Sequence, residues 1–248
     1  MPDSNNSLDL EAQRVLHDPK RSSVEKYMLL AIGEKSWSRL IKYEFITTLF
    51  GGWPGALGLF LRQKIYRALF QSMGRGVTIG RNVTIRGAGR ISLGRNVHID
   101  DHCLIDARGA GASIAIGDGV FIGRNTIVRC RGEHLRIGEG TDIGVNCVVA
   151  TDSRLDIGKD VLVAAYSYIA AGGRHRYDDK TVPIIKQGFD SRGGITVGDG
   201  AWIGSHSILT DGSSVGAGTI IGAHSLVNNA IPEMVIAYGS PARVQKPR

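Results

Sequence analysis

The chain has 248 residues, enough to bury a substantial core as one domain or as one domain with an extension. Lys and Arg outnumber Asp and Glu by 30 to 23; this modest, dispersed surplus permits an anionic partner, but with no aromatic and basic binding surface it argues against nucleic acid. Three cysteines, Cys103, Cys130 and Cys147, have neither the even pairing of a disulfide framework nor the close spacing of a zinc site, so reduced, buried thiols are expected.

The first 18 residues, MPDSNNSLDLEAQRVLHD, lack a basic region followed by an apolar core and do not read as a secretory signal. No apolar, uncharged stretch anywhere reaches the roughly 18 residues of a spanning helix. Residues 1–34 read as a loose lead-in with one short helix near the apolar YMLLAIG. Residues 37–73 are rich in aromatics and leucines, and Gly51, Gly52, Pro54, Gly55 and Gly58 divide them into two segments. In the second, Leu57, Phe60, Leu61, Ile65, Leu69 and Met73 share one helical face, with Arg62, Lys64 and Arg67 mostly elsewhere. Between Lys35 and Arg75 seven basic residues stand against the single acid Glu44. Two compatible expectations follow. One is peripheral contact with an anionic membrane through Trp53, Phe60, Leu61, Arg62, Lys64 and Arg67. The other is a helical cap over the open lower end of the domain that follows.

From Val77 the chain repeats in sixes, as in VTIGRN, VFIGRN, TDIGVN, AWIGSH and TIIGAH. Aliphatic residues hold one position of that frame from Ile79 to Val227, and the longer steps recur at one phase of a three-hexad cycle. Such a spacing is neither helical nor a simple alternation. It predicts a coil of three short strands per turn, with stacked aliphatics filling a narrow prism, Gly turning the corners and all inserts at one edge. A single coil cannot bury its own apolar row, but a stack of coils about 4.8 Å apart can.

This pattern resembles the left-handed parallel β-helix of the hexapeptide-repeat acyltransferases over about residues 77–244. The C-terminal stretch is similar to the galactoside, maltose and xenobiotic acetyltransferase branch, with Trp202, Gly204, Ile231, Pro232, Gly239, Pro241, Arg243 and Val244 on its pattern. The N-terminal extension resembles those of polysaccharide-biosynthesis O-acetyltransferases. The expected organisation is a helical extension over 1–76, an all-β left-handed β-helix over 77–230 with a loop at 170–195, and a tail over 231–248.

The resemblance implies acetyl-CoA as acyl donor, a homotrimer, and transfer to a hydroxyl of a sugar or lipid-linked glycan, in the cytoplasm or on the inner face of its membrane. A hydroxyl attacking a thioester must lose a proton, and a neutral imidazole is well matched to take it. The prism interior is aliphatic, so the base must lie outside it. His175 in the polar loop YIAAGGRHRYDDKTVP meets that demand and corresponds to the branch's catalytic histidine, although Gly172-Gly173-Arg174 precedes it where the branch has a small residue and Gly. Asn146 falls where the branch has an asparagine that aims the acceptor hydroxyl; Asn also ends hexads at Asn82, Asn96 and Asn125, where it suits a corner. Arg174 and Asp178 are candidate acceptor contacts. Trp202, Gly204, Ser205, Gly222 and Ala223 are candidate walls of the cofactor groove, with Arg243 and Lys246 near the nucleotide phosphates. Asn228-Asn229 replaces the branch's Thr-Lys, removing one cationic contact. His206 and His224, 18 residues apart, should stack. No metal is expected, since no close histidine pair occurs in the middle coils. Two other readings stay open: an N-acetyltransferase acting on a nucleotide-sugar amine, and a non-catalytic trimeric scaffold.

Overall fold

The computed structural model of the chain describes residues 15–109 and 111–248; the start of the lead-in, on which the signal reading rests, lies outside them. Among the described residues the repeats form the three walls of a left-handed parallel β-solenoid preceded by short helices. Wall one runs in eight strands from Ser72–Met73 to Ala230–Ile231, and wall three in seven from Thr84–Arg86 to Leu226–Val227. Wall two begins at Thr78–Ile79 and ends with Val235–Gly239, on which the last strand, Ala242–Pro247, folds back antiparallel. Every aliphatic of the hexad frame from Ile79 to Val227 is at most 3% exposed. Residues of one wall meet their equivalents one coil on, as Ile143 meets Val163 and Val163 meets Ile203. The inserts leave the corner between walls three and one, the longest being residues 172–194. Cys103, Cys130 and Cys147 are free and buried, and burial pushes the first two thiols up to about 11.

Between walls one and two glycines turn the corner with left-handed backbone, at Gly76, Gly119, Gly140, Gly200 and Gly218, but the next corner works differently from the sequence expectation. Between walls two and three the left-handed backbone falls not on the glycine after each aliphatic but two residues later, on Asn82, His102, Asn125, Asn146, Tyr166, His206 and His224. The glycine answers a steric demand from the next coil. A Cβ on Gly144 would stand 2.8 Å from the Ala165 nitrogen, and one on Gly204 2.5 Å from the Ala223 nitrogen.

Helix α1 (Ser23–Ala31) starts in a capping box formed by Ser22 and Glu25. Helices α2 (Trp37–Phe50) and α3 (Gly55–Ile65) follow. Ile46, Tyr66, Phe70 and Met73 join the lower end of the core, and burial pushes the Tyr66 phenol up to about 12. The helices thus cap the prism.

The cap revises the roles expected of two arginines. The amide that follows each hexad aliphatic donates to the coil above, as Gly74 N does to Leu93 O and Gly80 N to Ile99 O, so the matching carbonyls of the lowest coil, Met73 O and Ile79 O, have no coil beneath to donate to them. Arg62, expected at a membrane, is 2% exposed. Its Nε donates to Ile79 O at 2.8 Å, and its Nη1 donates to Trp53 O at 2.8 Å and Phe50 O at 3.1 Å. Arg67 Nη2 donates to Met73 O and Gly74 O at 2.9 and 3.1 Å. Both guanidiniums finish the ladder at its open end. Leu57 and Phe60, placed by helical periodicity on a shared apolar face, are 59% and 55% exposed. Arg62→Ala should therefore cost about 3 kcal/mol of stability, whereas Lys64→Ala should stay within about 0.5 kcal/mol of the parent. Urea unfolding measures both, and equal midpoints would remove the capping role.

Candidate active site on two edges of the prism

The first edge carries the long insert. Strand Tyr168–Ala171 ends in wall three, and the chain leaves the prism through Gly172 and Gly173, with φ of 136° and 86°. Arg174–His175 then pairs antiparallel with Phe189–Asp190, a short hairpin that holds His175 outside the prism. The His175 ring is exposed and lies against Phe189, with centroids 4.1 Å apart. Arg174 is placed by its backbone alone. Asp178 accepts from Arg176 Nη2 at 2.9 Å. Asp179 accepts from Thr181 N and Oγ1 at 2.8 and 2.7 Å, bonds that lower its carboxyl pKa. These acids shape the far part of the loop.

One residue that the sequence reading passed over closes the insert. Asp211, 8% exposed, lies at the same corner one coil above. Its Oδ1 accepts from Gly172 N at 3.3 Å and Gly194 N at 2.9 Å, and its Oδ2 accepts from Arg192 N. One carboxylate therefore ties both ends of a loop of more than twenty residues. The available signal was an acid at the corner directly above the longest insert.

The second edge lies between walls two and three. Asn146 takes a left-handed corner with φ 56°, and its Oδ1 accepts from Asn125 Nδ2 at 3.1 Å. Above it, Tyr166, His206 and His224 occupy the same corner in successive coils, their rings stacked with centroids 4.9 and 4.8 Å apart. Ser205 and Ala223 present small side chains beside them. Gly204 is buried and Gly222 half-buried, where a Cβ would meet the Tyr238 Cβ at 2.8 Å. Trp202 points outward from wall two, 45% exposed, between Leu162 and Ile220 of the neighbouring coils. Arg243 and Lys246 are exposed on the last strand, opposite Tyr238 and Ile236.

Small side chains at Ser205 and Ala223 mark this edge, and the exposed guanidinium of Arg243 and ammonium of Lys246 stand on the adjoining strand. Asn146, Ser205, Ala223, Arg243 and Lys246 belong to this side of the prism, whereas His175 follows wall three and belongs to the other edge. No group of three His, Cys, Asp or Glu side chains among the described residues is arranged to hold a metal.

No protein-family profile matches the chain. A probable acetyltransferase of Mycobacterium tuberculosis is 35% identical over 160 residues, 64% of this chain and 51% of that protein. Galactoside O-acetyltransferase of Escherichia coli is 32% identical over 113 residues, 46% of this chain and 54% of that protein. The chain spans about half the length of the curated relatives it matches. Among solved structures, an N-acyltransferase of Bacillus cereus in complex with dTDP and coenzyme A superposes with a TM-score of 0.52 at 22% identity, over 75% of this chain and 89% of that one. The feature shared with that structure is the solenoid fold.

Asp211→Ala should free the insert without melting the prism. Hydrogen exchange at the amides of Gly172, Arg192 and Gly194 should accelerate at least about tenfold, while the strands of wall three keep their protection. Unchanged exchange at those amides would show that Asp211 does not hold the loop.

Proposed function

We propose that the chain is an acyl-CoA-dependent acyltransferase that moves an acetyl group from acetyl-CoA to a hydroxyl of a sugar or lipid-linked glycan. The observation that carries this reading is the set of small residues Ser205 and Ala223 on one edge, beside the final strand with Arg243 and Lys246. The names of the related acetyltransferases and the coenzyme A in the complex of similar fold support it. His175 then removes the proton from the acceptor hydroxyl as it attacks the thioester carbonyl, and the proton passes from the imidazole to the departing CoA thiolate. Asn146 orients the hydroxyl, with Arg174 and Asp178 contacting the rest of the acceptor. Trp202 borders the groove.

The separation of the two edges supports a homotrimer as the working assembly. His175 and Asn146 lie at opposite ends of wall three, so a site using both is completed by the insert of one chain reaching the groove edge of its neighbour. The outward row of wall three reads Leu104, Ile127, Val148, Tyr168, Ile208 and Leu226 through successive coils, an apolar surface suited to such an interface. Acetyl-CoA and reduced thiols both suit the cytoplasm, with the acceptor met at the inner face of the membrane.

His175→Ala should lower turnover about 100-fold with trimer and acetyl-CoA binding intact; a near-normal rate would remove the base assignment. Replacing Arg243 and Lys246 together by Ala should weaken binding of CoA more than of its analogue without the 3′-phosphate. Equal losses for both ligands would contradict the phosphate contact. Mass gain on a panel of cell-envelope glycans identifies the acceptor, and mass gain only on amino sugars would move the reading to N-acetylation.

A further inference from the structure

We infer that the outer face of α2, continued by the turn into α3, is a membrane-docking surface that seats the helical end of the prism on an anionic bilayer. The inference deepens the membrane-side reading above and assigns it to residues that helical periodicity in α3 did not single out. Trp37, Ile41, Phe45 and Leu49 recur every four residues along α2 and are 62%, 64%, 61% and 44% exposed. An amphipathic helix normally turns such a row inward. Here Leu40 and Ile46 are the buried residues of α2, and the large row faces away. Trp53, Leu57 and Phe60 extend it, at 46%, 59% and 55% exposure.

Charge selects a lipid surface over a purely apolar partner. Lys42, exposed beside the row on α2, donates to Ala68 O at 3.3 Å, whereas Arg39 lies on the far side of the helix, paired with Glu34 at 2.8 Å. Lys64 stands beside Phe60, with Nζ 5.8 Å from the ring centroid. Glu44, the acid of α2, accepts a hydrogen bond from Tyr27 at 2.5 Å. Bulky apolar side chains with cations at their margin insert into the interfacial layer and hold it electrostatically. No helix among the described residues is long and apolar enough to cross a membrane, so docking of this kind would be peripheral.

The test is flotation of the full chain with phosphatidylcholine vesicles, with and without phosphatidylglycerol, at low and high salt. The wild type should float with the anionic vesicles and less so at high salt. Ile41→Ser with Phe45→Ser should reduce the bound fraction at least about tenfold, and Phe45→Ser alone should reduce it in part; both positions are exposed. No flotation of the wild type at low salt overturns the inference, and a concentration-dependent dimer lost in the double variant would assign the face to a second copy. Equal flotation of wild type and variants also overturns it. Acetyl-CoA binding measured on the same samples separates the two readings: its loss with flotation kept would defeat acyl transfer alone, and the reverse would defeat membrane docking alone.

Discussion

The parallel ladder between successive coils is the constraint on which this molecule depends. Backbone N–H groups must find carbonyls of the coils above and below, so the coils can neither spread apart nor slip in register, and every third hexad returns to the same wall. The interior then narrows to one or two aliphatics per wall per coil, two on wall one as with Leu155 and Ile157. It also brings the corners so close that Gly144 and Gly204 have no room for a Cβ. Chemistry is thereby pushed to the outside, where the strand grammar relaxes: the wall-two to wall-three edge, with its left-handed residues, and the wall-three to wall-one edge, with its inserts.

A ladder that repeats without closing leaves an unpaired end, and the structure devotes much of its N-terminal region to that problem. Arg62 and Arg67 take over the donors that a lower coil would have supplied, and Tyr66, Phe70 and Met73 close the core beneath them. The same helices cannot bury all their apolar residues against so narrow a base. That geometric mismatch leaves the row from Trp37 to Leu49 facing outward, so one segment serves as both cap and candidate docking surface.

The solenoid was legible because its signal is redundant. The aliphatic frame recurs coil after coil, and a single position could be misread without moving the prediction. The stacking of His206 on His224 was legible for the same reason, since equal phase in successive coils means adjacency. Arg62 was not legible: charge in a helix ordinarily marks the wet face, and only the open end of a ladder supplies carbonyls enough to bury a guanidinium. Asp211 was missed because its partners are backbone amides of an insert whose return path the repeat does not encode. Of the candidate site, sequence singled out the loop that carries His175 and the residues Ser205 and Ala223, which the structure places outside the prism core. It could not reveal that these are different edges, because hexad phase was used to build the core and not to sort the functional residues around it.

That separation makes the central claim a claim about assembly: His175 of one chain serves the Asn146 edge of another. Mixing His175→Ala and Asn146→Ala chains, each inactive alone, by joint unfolding and refolding tests it directly. If the site is shared between neighbours, random mixed trimers in equal amounts restore about a quarter of the wild-type rate, since one interface in four then receives both intact residues. No activity above that of the separate variants, in samples in which mixed trimers are shown to form, would contradict it.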